Sequence, residues 1–328
     1  IQNAPQHAND LVRLATTKFA CTRQAMHKHV QNLLEEGVLT ASGSTRSRTY
    51  TLSVLSSWRQ KWQLTADLSE DRAWSDSVGP RLADLADNLR GIWLYVFSEL
   101  MNNAIDHSLG TSITVSLRRT GATTEMTLQD NGVGIFKKIQ MALNLPNESL
   151  AGIELAKGKF TTDPAKHSGQ GIFFSSRMLD EFSMVAGEVE LSRRHGEPEQ
   201  WRVRTGKPAK GTTISLVLAN HSKRTTKSVF DRFSTGEDYA FSTTSIPVRL
   251  LQEGRDQLVS RSQAKRLLAR AEQFTTVILD FSGVDSIGQA FADEAFRVFQ
   301  NHHRGTKVQA VHANAEVTRM MRRALAAT

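Results

Sequence analysis

A chain of 328 residues with 39% hydrophobic and 23% charged side chains has globular composition and the length for two or three compact domains. The single cysteine, Cys21, excludes a disulfide framework and a cysteine-rich zinc site, while a formal net charge of +8 points toward polyanions such as nucleic acid or nucleotide phosphates. No apolar run approaches about 18 residues and no signal-peptide pattern opens the chain, so a soluble, cytoplasmic protein is expected; the start at Ile1 suggests a processed or truncated N-terminus.

Residues 1–57 read as helix, tight turn, helix and a two-stranded ribbon. ANDLVRLATTKF sets Leu11, Leu14 and Ala15 at helical spacing, TRQAMHKHVQNLLEEG opens on Thr22 as N-cap and closes on Gly37, and VLTASGSTRSRTYTL has two extended stretches around a Ser/Gly/Thr turn. The pattern resembles a winged helix-turn-helix. In that fold the start of the second helix, here Arg23, Gln24, His27 and Lys28, enters the major groove of double-stranded DNA, and the wing residues Arg46 and Arg48 neutralise phosphates. The segment carries six Lys/Arg against three Asp/Glu, which favours DNA over the alternative of a small docking or dimerisation module.

Residues 58–90 contain Trp58, Trp62 and Trp74 amid alternating charge and are expected to form a linker followed by a helix, with the tryptophans packed on the next domain. From Trp93 to Ser108 the sequence is helical: Trp93, Phe97, Leu100 and Ala104 share one face, and Glu99, Asn103 and Asp106 share another. An i, i+4 carboxylate and amide can serve one bound group, the amide oxygen for a hard cation and the carboxylate for a nucleophile. On its own such a pair is more often a solvated helix face. Three further boxes follow. EMTLQDNGVGI is a strand running into Asp130, then Gly132 and Gly134; HSGQGIFFSSRM is a glycine-rich turn feeding a helix whose free N–H groups suit phosphate; KGTTISLVL places Thr212 at the head of a strand.

Taken in order, these boxes resemble the GHKL superfamily of ATP-binding domains, shared by gyrase, heat-shock chaperones, histidine kinases and MutL-type repair proteins, over about residues 80–222. The resemblance implies a Bergerat-type α/β sandwich binding ATP and Mg²⁺. It matches Asn103 to the Mg²⁺-binding asparagine, Glu99 to the acidic residue that activates water or a hydroxyl, and Asp130 to the acceptor of the adenine amino group beside Gly132 and Gly134. It also matches Gly169 and Gly171 to the phosphate glycines, and Thr212 to the threonine supporting the adenine site. The stretch between the glycine boxes would be the lid, where Lys159 and His167 are candidate charge partners of the triphosphate; ordinary solvated side chains are the alternative.

Residues 223–328 alternate strand and helix three times, the pattern of a small α/β layer domain, with Ser260 and Asn314 as caps. This part resembles STAS-like domains, related to anti-anti-sigma factors. In those antagonists a serine after an aspartate accepts phosphate from a GHKL kinase, which makes Ser286 in VDSIGQAF the candidate acceptor; a plain helix cap is the alternative. The expected whole is a multi-domain α+β chain: winged helix 1–57, linker and helix 58–90, ATP domain 91–222 and STAS-like domain 223–328. Three functions stay open: a DNA-binding regulator with an ATPase switch, a serine/threonine kinase acting on its STAS-like domain or a partner protein, and a non-catalytic ATP sensor. Homodimerisation on ATP closure also stays open. A sensor histidine kinase is disfavoured because residues 58–90 lack histidine, and a topoisomerase or chaperone because the C-terminal segment reads as a small α/β domain and not a large transducer.

Overall fold

Helix α1 (Leu11–Phe19) and helix α2 (Arg23–Glu35) are separated by a tight turn, and Thr22 caps α2 by accepting from the Ala25 N–H at 3.2 Å. Strands β1 (Leu39–Ser42) and β2 (Thr49–Leu52) then pair antiparallel. Leu11, Val30, Leu39 and Tyr50 form a small core belonging to this segment, the order of elements that its sequence suggests. The computed structural model describes residues 11–44, 47–161, 168–196, 198–235, 240–252 and 257–326.

Residues 58–90 correct the expectation of a linker. Ser56–Gln63 is β3, paired antiparallel with β4 (Ser112–Arg119), so it is an edge strand of the central sheet. The reason is a period of two: Trp58, Gln60 and Trp62 are half-buried while Arg59, Lys61 and Gln63 are exposed, and the two indoles meet edge to face at 5.9 Å. The chain then runs through α3 (Glu70–Ala73), a π turn over Trp74–Val78 and a 3₁₀ turn over Gly79–Leu82 into α4 (Asp87–His107). Trp93, Phe97, Leu100 and Ala104 are all buried, as their helical spacing demands.

Strand β5 (Thr123–Asp130), α5 (Ile135–Leu143), α6 (Ser149–Lys157), α7 (Gly171–Met178), β6 (Glu181–Arg194) and β7 (Gln200–Ala219) complete this domain. Its antiparallel sheet has the order β3-β4-β5-β7-β6, and α4 to α7 pack against it. Beyond α8 (Thr226–Phe233) and the short β8 (Ser234–Thr235) and β9 (Ala240–Phe241), the chain enters a parallel sheet of β10 (Thr243–Pro247), β11 (Thr276–Asp280) and β12 (Lys307–Val311), ordered β10-β11-β12. Helix α9 (Arg261–Leu268) crosses from β10 to β11. Helices α10 (Gln289–Asp293) and α11 (Phe299–His302), joined by a π turn, cross from β11 to β12, and α12 (Ala315–Ala326) follows.

One hydrophobic core runs from the antiparallel sheet into the parallel one. Phe173 of α7 packs at 4.5 Å from Phe241, which packs at 5.2 Å from Phe274 beside β11, so the two layers share aromatic side chains. Among the described residues no helix is long and apolar enough to cross a membrane.

Candidate nucleotide site

The polar face of α4 lines a cavity of about 490 Å³, within the range of small-molecule sites. Glu99, Asn103 and Asp106 face it from α4, Asp130 and Gly134 from the end of β5, Gly169 and Gly171 from the start of α7, and Thr212 from β7. Four separated segments of the chain therefore converge as their order in the sequence suggests.

At one end, Asp130 Oδ1 accepts from the Gly132 N–H at 2.8 Å and from the Thr212 N–H at 3.2 Å. Gly132 thus orients the carboxylate instead of lining the cavity. The Thr212 hydroxyl accepts from the Ile135 N–H at 3.1 Å and fixes the start of α5. Burial pushes the Asp130 carboxyl above the usual carboxylate range against these hydrogen bonds, so the fold holds an anion there at a cost. Lys138 also lines the cavity, and its ammonium donates to the His107 carbonyl at 2.8 Å.

At the other end, the Glu99 carboxylate lies directly over Gly171, the first residue of α7; a β-carbon there would collide with Glu99 Oε2. Glycine lets the carboxylate and the helix start share the space, and any side chain there would displace the carboxylate. Tyr95, one turn earlier on α4, donates a hydrogen bond to Glu99, and burial, with the Glu99 charge, raises the tyrosine hydroxyl far above its ordinary range. Tyr95 is a functional candidate absent from the sequence-based set, although its i, i+4 spacing to Glu99 is visible in the sequence. Gly169 has φ +69° and sits so close against the backbone of Phe160 that a β-carbon would collide with it, so the segment after α6 and the glycine turn before α7 touch.

Lys159 departs from expectation. Its ammonium donates to the Gln273 carbonyl at 2.8 Å and stands 4.5 Å from the Phe274 ring, toward the parallel sheet and not among the cavity-lining residues. A backbone φ of +54° at Lys159, with an acceptor and an aromatic face beyond it, directs the side chain there. His167 and Arg46 lie outside the described residues. Arg23, Gln24, His27 and Lys28 are all exposed on the first two turns of α2, and Arg48 is exposed over the Tyr50 ring at 5.6 Å. Ser286 is exposed and outside the cavity; Gly288, not Ser286, caps α10, which corrects the cap alternative. The Asn314 amide pins this loop by donating to the Val284 and Asp285 carbonyls at 3.1 and 2.9 Å while its oxygen caps α12.

A mixed α/β layer whose acidic and amide helix face meets a strand-end aspartate and a glycine-rich helix start has the architecture of a GHKL nucleotide-binding domain. Residues 92–222 match the family model described as histidine kinase-, DNA gyrase B- and HSP90-like ATPase, and residues 263–318 match that of a STAS-like domain of unknown function. The chain carries a GHKL-type ATPase domain followed by a STAS-like domain. No curated protein matches it. The first match starts after β3 and the second after β10, so each sheet has an edge strand outside the matched residues.

Proposed function

We propose that the cavity on α4 binds ATP with Mg²⁺, that Glu99 supports slow turnover, and that the cycle regulates a DNA-bound protein. The carrying observation is the convergence of Glu99, Asn103, Asp130, Gly169, Gly171 and Thr212 on one cavity. Asp130 accepts from the adenine amino group, and the start of α7 receives phosphates through its free N–H groups. Glu99, steadied by Tyr95, takes the proton of a water whose oxygen attacks the terminal phosphorus as the bond to ADP breaks.

Among the described residues no three His, Cys, Asp or Glu side chains cluster as a metal cage. The Asn103 amide oxygen facing the cavity is a donor suited to Mg²⁺, which keeps waters and takes its other ligands from phosphate. Asn103 would hold it, and the ion supplies neutralisation of phosphate charge when bound.

Exposure of Arg23, Gln24, His27 and Lys28 at the start of a helix supports duplex DNA as a partner. The exposure of Ser286 on a pinned loop favours, as second reading, phosphoryl transfer to the STAS-like domain. Phosphate release by wild type and Glu99→Gln is the test. Equal ATP affinity with turnover lowered by about 10²-fold is expected for loss of a positioned base. Equal slow release by both, with no phosphate on Ser286 by mass spectrometry, would leave a sensor and refute catalysis.

A further inference from the structure

The last turn of α6 and the residues after it have two sides. On one, Leu155, Gly158, Phe160 and Thr161 line the nucleotide cavity. The other is gripped by the STAS-like domain. Lys157, 2% exposed, pairs with Glu154 at 2.6 Å and donates to the Ala269 carbonyl at 2.7 Å. The Arg270 guanidinium reaches Glu154 Oε2 at 3.2 Å, donates to the Lys159 carbonyl at 2.7 Å and stands 5.2 Å from the Phe160 ring. In return Lys159 donates to the Gln273 carbonyl at 2.8 Å, and the buried Thr244 hydroxyl donates to the Lys157 carbonyl at 2.7 Å.

Both residues of the Arg270–Lys159 hydrogen bond are held at positive φ, Arg270 at +63° and Lys159 at +54°. Glycine adopts this region freely and other residues are strained in it, so a non-glycine on each side of one junction signals that the side chains are needed there. Arg270 follows the C-terminus of α9, where glycine is the usual choice. Phe160 carries the contact onward, because its ring meets Arg270, its residue lines the cavity, and its backbone abuts Gly169 of the phosphate turn.

We propose that Arg270 is a positioning residue of the nucleotide site supplied by the STAS-like domain: it sets the base of the lid, so nucleotide binding and the conformation of residues 269–274 are thermodynamically linked. This rests on the reading of the cavity as an ATP site. Linkage is reciprocal, so whatever displaces Arg270 from the lid base weakens nucleotide binding, and nucleotide opposes that displacement.

The test uses the full chain, a non-hydrolysable ATP analogue with Mg²⁺, calorimetry and hydrogen exchange. In wild type the analogue should slow exchange both at 154–161 and at 269–274. Arg270→Gly suits the positive φ, so it removes the side chain without adding backbone strain; it should bind the analogue about tenfold more weakly, a typical coupling, and lose the protection at 269–274. Arg270→Lys, which can pair with Glu154 but cannot fork to the Lys159 carbonyl as well, should recover only part of the loss. It also serves if the glycine variant unfolds. Unchanged affinity in both variants, or wild-type protection confined to 154–161, overturns the linkage while leaving ATP binding intact. Failure of wild type to bind any analogue defeats the ATP reading, and this proposal with it.

Discussion

Asp130→Asn separates function from stability in a way that only a ligand-binding aspartate would. In the structure Oδ1 already takes the Gly132 and Thr212 N–H groups at 2.8 and 3.2 Å. An asparagine oxygen can accept the same two bonds, which turns its NH₂ to where Oδ2 stood. An acceptor for the adenine amino group becomes a donor facing a donor. Hydrogen bonds to charged groups contribute about 1.5–3 kcal/mol, so ATP affinity should fall roughly 10- to 150-fold. Stability should move the other way or not at all. Burial raises the folded-state carboxyl above its unfolded value, so ionised Asp130 costs stability, and that cost appears as the pH rises through the raised value. A neutral amide avoids it. For the same reason ATP affinity of the wild type should decline on acidification at a pH above the ordinary aspartate range. Calorimetric titration with ATP, beside thermal melts of both proteins without ligand, reads the two effects. Equal ATP affinity in a folded Asp130→Asn protein would refute the adenine assignment; a large loss of melting temperature would show that the aspartate is structural.

Three more expectations follow from the geometry. Glu199 is buried with Arg193 at 2.9 Å and Arg177 at 3.9 Å; burial alone would push its carboxyl up, but the two guanidinium groups hold it down at about 2, so the stability it contributes is present above about pH 4.5 and drains away toward pH 2. Glu199→Gln leaves both cations uncompensated and should cost about 3–5 kcal/mol at neutral pH, measurable by urea unfolding; a loss below about 1 kcal/mol would contradict the pairing. Gly171→Ala drives a methyl into the Glu99 carboxylate, so phosphate release should fall roughly 10²-fold with the melting temperature nearly kept, and unaltered release would remove Glu99 from the chemistry. Replacing Arg23, Lys28 or Arg48 by alanine should weaken duplex DNA binding and lower the slope of log affinity against log salt by about one for each phosphate no longer neutralised, whereas DNA binding that survives deletion of residues 11–52 would disprove the interface.

The sequence by itself determined whatever depends on neighbours a few residues away. The i, i+4 pair of Glu99 and Asn103, the buried stripe from Trp93 to Ala104, the Thr22 cap and the glycines beside Asp130 follow from helix period, capping and turn sterics, and each stands where the pattern put it. The alternation of Trp58, Gln60 and Trp62 fits a strand, but interleaved with Arg59, Lys61 and Gln63 it reads as linker until β4 is there to pair with it. Tertiary structure decided the rest. The direction of Lys159 and the grip of Arg270 on the residues after α6 depend on contacts between segments and on backbone angles; Arg270 reaches Lys159 across 111 positions of chain. No periodicity spans such a distance. The parallel sheet and the ATP domain are held to one core by side chains that, taken locally, are ordinary phenylalanines and arginines. Only packing shows that they join the nucleotide cavity to the STAS-like domain.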